Sequence, residues 1–157
     1  MIAADILSAA RKLGTRIATA ESCTGGMIAA ALTDIAGSSD VFERGFVTYS
    51  NDAKIDMLGV RSETLTANGA VSEQIAHEMA EGALIHANAT LAVATTGIAG
   101  PGGSDFKPEG RVCFGLAQRG QPTQTQTVEF GPLGRAAVRT AATQYALGLL
   151  LAALNPT

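Results

Sequence analysis

The chain has 157 residues, the length of one domain that buries roughly 68–70% of its unfolded surface and so holds a core without disulfide staples. Its net charge of −3, with no basic run anywhere, excludes nucleic acid as a partner. Cys23 and Cys113 lack metal-ligand spacing, Asp5 ahead of Arg11 and Lys12 reverses a signal peptide's charge order, and no apolar run approaches the ~20 residues that span a bilayer, so a cytoplasmic chain without metal, cofactor or membrane association is expected.

Ile2, Ile6, Ala9, Ala10 and Leu13 recur at helical spacing, and Gly14 follows as a C-cap, which predicts a first amphipathic helix. Arg16 to Ala20 alternates briefly as a strand does. It runs into Glu21-Ser22-Cys23-Thr24-Gly25-Gly26, a glycine turn ahead of a helical run from Met27 to Ile35. Val41 to Tyr49, rich in aromatic and β-branched residues, predicts a second strand. Ser50 or Asn51 then caps a short helix through Leu58. A connecting stretch leads to Ser72, the cap of a helix from Glu73 to about Ala87 whose apolar stripe is Ile75, Met79, Ala83 and His86 or Ala87.

Leu91 to Thr96 is a continuous apolar strand, the kind buried on both faces of a sheet. It breaks into the loop Gly97-Ile98-Ala99-Gly100-Pro101-Gly102-Gly103, with Ser104, Asp105 and Lys107 farther along the same excursion. Val112 to Ala117 and Thr125 to Phe130 read as an antiparallel pair, and a final helix runs from about Arg135 to Leu154. The expected fold is α/β, a single-domain three-layer α/β/α sandwich with a mixed sheet over residues 1–157. Strand order does not follow from this pattern. The Ala- and Leu-rich last helix suits an interface as readily as a core face, and a homo-oligomer, a dimer or higher, is expected.

Ligands of open α/β sheets sit beyond the carboxyl ends of strands, where loops present N–H groups and helix N-termini. Three segments qualify: 21–26, 49–54 and 95–103. Ser22, Thr24, Gly25 and Gly26 could cradle a phosphate, although a tight turn alone also needs such glycines. Thr96, Gly97 and Gly100 belong to a loop that is long for a mere connection. Lys54 falls in the first turn of its helix, where the dipole disfavours an ammonium, so its pKa is expected to fall and it can act as base to a serine. His77 and His86 lie on another helix, away from the glycine loops, which argues against a Ser-His-Asp system. Ser22, Ser38, Ser39 and Ser50 are the candidate nucleophiles, and spacing does not choose among them.

Several ordered motifs together resemble the CinA C-terminal domain family: Thr19 to Gly26, Ala36-Gly37-Ser38-Ser39, Tyr49-Ser50-Asn51 with Lys54, Gly69-Ala70-Val71-Ser72, and Thr96 to Gly103 with Lys107-Pro108. The resemblance covers nearly the whole chain. It implies a metal-independent Ser/Lys amidohydrolase acting on a small-molecule nucleotide, nicotinamide mononucleotide, in pyridine-nucleotide recycling. By position it further implies Ser39 as nucleophile, Lys54 as base and Tyr49 as a supporting hydroxyl. Ser22 and Thr96 match positions that help build the site, and Arg135 matches an arginine opening the last helix. The approach to Arg135 through Gly131-Pro132-Leu133-Gly134 departs from the family's Gly-Asp-Arg. A protein-interaction module related to competence or damage, or an amidohydrolase of another phosphorylated amide, are the alternative readings.

Overall fold

The computed structural model describes residues 1–104 and 106–155; Asp105 of the glycine excursion lies outside them. The chain runs α1 (Ile2–Leu13), β1 (Ile17–Glu21), α2 (Met27–Thr33), a 3-10 turn (Ser38–Asp40), β2 (Phe42–Val47), α3 (Asn51–Leu58), α4 (Ser62–Asn68), α5 (Glu73–His86), β3 (Leu91–Gly97), β4 (Arg111–Gln118), β5 (Gln124–Glu129) and α6 (Arg135–Leu154). The five strands form one sheet in the order β2-β1-β3-β4-β5. β1 pairs in parallel with both β2 and β3, whereas β4 is antiparallel to β3 and to β5. This is the mixed sheet expected, covered on both faces.

Side-chain volume decides which helices go where. Along β1 and β3 every residue but Gly97 is buried, so the polarity alternation expected for β1 is absent, as befits a central parallel strand. An alternation in size replaces it. Ile17, Leu91 and Val93 face α1, α2 and α6, whereas Ala18, Ala20, Ala92 and Ala94 face α5. The alanine face lets α5 lie close to the sheet, and Gly115 of β4 completes the fit, because a Cβ there would overlap the Ala76 backbone.

The expected caps are in place. Gly14 closes α1, Ser50 accepts from Ala53 N–H at 3.0 Å, and Ser72 accepts from Ile75 N–H at 3.3 Å. His86 is exposed, so Ala87 rather than His86 extends the buried stripe of α5. α4 replaces the expected connecting stretch. None of its residues is buried, so no apolar stripe marks it in the sequence, and it is tied down by Glu78, which accepts from Arg61 N–H and the Thr64 hydroxyl. α6 has the length and composition to cross a bilayer, but Val138, Ala142, Ala146, Leu147, Leu150 and Leu154 are buried in the domain core.

α3 bears Lys54 and its position depends on α5. At Gly82 of α5 an added methyl would overlap the Leu58 carbonyl at the end of α3. Gly82→Ala is therefore expected to destabilise the domain by about 1–3 kcal/mol, despite alanine's better helix propensity, in a urea titration. An unchanged or raised midpoint would contradict this packing.

Candidate active site

The carboxyl ends of β1, β2 and β3 open on a cleft of about 390 Å³, a volume that suits a small ligand. It lies where the strand order reverses, with β2 on one side of β1 and β3 on the other. Ser22, Cys23, Tyr49, Asn51, Lys54, Thr96, Gly97, Gly100 and Arg135 are among the lining residues. No carboxylate lines it among the described residues.

Lys54 is 1% exposed although it is a lysine. It is the fourth residue of α3, and helical side chains lean towards the N-terminus, so its chain folds back over the β2–α3 connection. There Nζ donates to Ser22 Oγ at 3.0 Å, to Thr48 O at 3.0 Å and to Tyr49 O at 3.4 Å. Burial lowers its pKa from the ordinary lysine value. Once neutral, the amine keeps two hydrogens for the two carbonyls, and its lone pair then faces the Ser22 hydroxyl. That is the geometry of a serine with its base. Cys23, next in the chain, does not compete, since burial pushes its thiol up to about 12 and keeps it protonated.

Ser39 is not brought to Lys54. It is exposed in the 3-10 turn before β2, whereas Lys54 follows β2, so the strand's six residues, roughly 20 Å of chain at ~3.3 Å each, separate their ends of the sheet. Ser38, buried beside it, shares that far end, and Ser50 is engaged as the α3 cap.

The turn after β1 is also not the open anion cradle its glycines suggested. The buried Glu21 carboxylate fills it, accepting from Thr24 Oγ at 2.6 Å and from the N–H groups of Gly26 at 3.2 Å, Ile28 at 2.9 Å and Ala29 at 3.0 Å. The N-terminus of α2 thus already holds its anion. Thr24, Gly25 and Gly26 are outside the lining; Thr24 reaches Thr95 Oγ at 2.8 Å, and the Arg139 side chain lies over Gly25. Glu21 is a residue the sequence reading missed, and an acid between a strand and a glycine-led helix was its available signal.

On the opposite wall Thr96 donates to Ala70 O at 2.8 Å, anchoring the segment ahead of α5. Lys107 donates to Asn68 O at 2.8 Å and to Val71 O at 2.5 Å, anchoring it a second time. At the rim Arg135 donates to Gly100 O at 2.7 Å and to the Tyr49 hydroxyl. The structure therefore gathers Ser22, Lys54, Tyr49, Thr96, Gly97, Gly100 and Arg135 in one cleft.

A family model described as the CinA C-terminal domain matches residues 1–154. The nicotinamide-nucleotide amidohydrolase PncC of Escherichia coli is 56% identical over 139 residues, 87% of this chain and 83% of that protein. The CinA-like protein of Chlorobium phaeobacteroides is 57% identical over 122 residues, 76% of this chain and 29% of that protein, so the chain spans less than a third of that relative. The crystal structure of the competence/damage inducible protein CihA from Agrobacterium tumefaciens superposes with a TM-score of 0.94 at 53% identity, covering 98% of this chain and 93% of that one.

The sequence has three lysines, Lys12, Lys54 and Lys107. In a side-chain NMR titration of lysine-labelled protein, the Lys54 signal is expected to lose its proton at lower pH than the usual lysine range, and Lys54→Met should delete that signal. Titration of all three at the ordinary value would refute the buried neutral amine.

Proposed function

The chain belongs to the CinA C-terminal domain family, and from that premise we propose that it hydrolyses the carboxamide of nicotinamide mononucleotide to nicotinate mononucleotide and ammonia, with Ser22 as nucleophile and Lys54 as its base. The observation that carries the reading is the 3.0 Å contact between Lys54 Nζ and Ser22 Oγ inside a ligand-sized cleft. Similarity to the amidohydrolase of Escherichia coli over most of both chains supports the substrate.

Ser22 Oγ attacks the carboxamide carbon as its proton passes to Lys54 Nζ. The C–N bond then breaks while the Lys54 ammonium returns that proton to the departing nitrogen, which leaves as ammonia. The resulting ester on Ser22 is cleaved by water, whose proton Lys54 accepts and hands back to Ser22. Backbone N–H groups of the lining loops serve the transient oxyanion, a contribution of about 2.7–4 kcal/mol per donor. The pyridinium charge draws electrons from the carboxamide and disfavours a second cation at Lys54. Arg135, at the rim beside the glycine loop, takes the phosphate, and the lack of carboxylates in the described lining suits an anionic substrate.

Purified protein is expected to release ammonia from the mononucleotide. Ser22→Ala should cut that rate by at least about a thousandfold, whereas Ser39→Ala should stay near the parent rate. The reverse ranking would transfer the nucleophile to Ser39 and sink the dyad.

The pH dependence has a definite sign. Only neutral Lys54 accepts the proton, and its pKa is lowered, so kcat/KM rises with pH and levels off below the ordinary lysine value of 10.5. Lys54→Arg, whose guanidinium keeps its proton, should be inactive throughout. A profile that is flat from about pH 6 to 9 would count against Lys54 as base.

A further inference from the structure

We propose that Glu109 is a positioning residue for phosphate recognition, holding the glycine-loop wall of the cleft and the start of α6 at one fixed separation; this rests on the reading above. The root of Glu109 is pinned. Its neighbour Gly110 donates to Ile98 O at 2.8 Å and accepts from Phe130 N–H at 2.8 Å. From that root the carboxylate reaches two segments at once. One oxygen accepts from Gly102 N–H at 2.7 Å and the other from Gly134 N–H at 2.9 Å. Arg135 follows Gly134 directly and returns to the same loop through Gly100 O at 2.7 Å.

These contacts close a ring from Glu109 to Gly102, along the loop to Gly100, across to Arg135 and Gly134, and back to Glu109. Arg135 is exposed and long, so without the ring its guanidinium would wander among rotamers. A Cβ at Gly100 would strike the Glu109 side chain, so the two are also in packing contact. Glu109 itself is outside the lining of the cleft, and its two oxygens are engaged by backbone N–H groups. It acts on the ligand through Arg135.

The sign of the effect separates positioning from simple charge. If Glu109 mattered only as a negative charge near the rim, Glu109→Gln would strengthen phosphate binding. As a positioning residue, Glu109→Gln retains one acceptor for two donors and should weaken it.

The test compares Glu109→Ala and Glu109→Gln with the parent on nicotinamide mononucleotide and on its phosphate-free riboside. KM for the mononucleotide is expected to rise about tenfold in Glu109→Ala and less in Glu109→Gln, with kcat within about twofold and riboside kinetics unchanged. A lower KM in Glu109→Gln, an unchanged KM, or equal losses on both substrates would overturn the proposal. A second readout does not need turnover: the Arg135 Nε–H resonance should be ordered and shifted by inorganic phosphate in the parent, and broadened and unresponsive in Glu109→Ala. Should the parent release no ammonia, the amidase reading fails alone, and this resonance still decides the role of Glu109.

Discussion

The side chain of Lys54 is buried at the edge of the cleft, and it stays there because three acceptors surround its amine and one of them is a serine. Several local features of the fold serve that placement. β2 ends at Val47, so the Thr48 and Tyr49 carbonyls turn out of the sheet ladder towards Nζ. Ser50 starts α3 one turn ahead of Lys54, and Gly82 lets the end of that helix settle against α5. Ser22 arrives from β1, and parallel pairing of β1 with β2 puts both carboxyl ends at one end of the sheet. An antiparallel pair would have sent serine and lysine to opposite ends.

A buried carboxylate close to a buried amine would ordinarily form an ion pair and fix the lysine as an ammonium, which is useless as a base. Glu21 precedes Ser22 in the chain, yet its oxygens are taken up by the backbone N–H groups of Gly26, which caps α2, and of Ile28 and Ala29 within it, and by the Thr24 hydroxyl. The helix N-terminus thus supplies the countercharge of Glu21, which makes no ion pair with Lys54. Burial is then free to act on Lys54 in one direction, towards the neutral form.

Much of this was legible in the sequence where a single local rule dominates. Gly14, Ser50 and Ser72 cap helices because their side chains, or the lack of one, meet an immediate backbone need. The apolar run Leu91–Thr96 reads as a central strand for the same reason. α4 escaped because its stability comes from Glu78 on another helix. The glycine turn misled because Glu21, rather than a ligand, fills it. Ser39 and Ser22 could not be ranked from spacing, since strand order decides which serine meets Lys54. The size alternation of Ile17, Ala18 and their neighbours on β3 was present in the letters, but its meaning depends on which helix covers each face.

The antiparallel end of the sheet has a consequence of parity. β3 delivers the chain to the cleft, β4 carries it away and β5 brings it back, so α6 begins, with Arg135, where β3 ended. Two reversals restore the direction of travel; one or three would not. An inserted hairpin at this edge would leave the arginine at the mouth of the cleft, whereas loss of a single strand would move it to the far end of the domain, with the serine and lysine untouched. Evolution can therefore lengthen this side of the molecule only in even steps without separating the rim cation from the reacting pair.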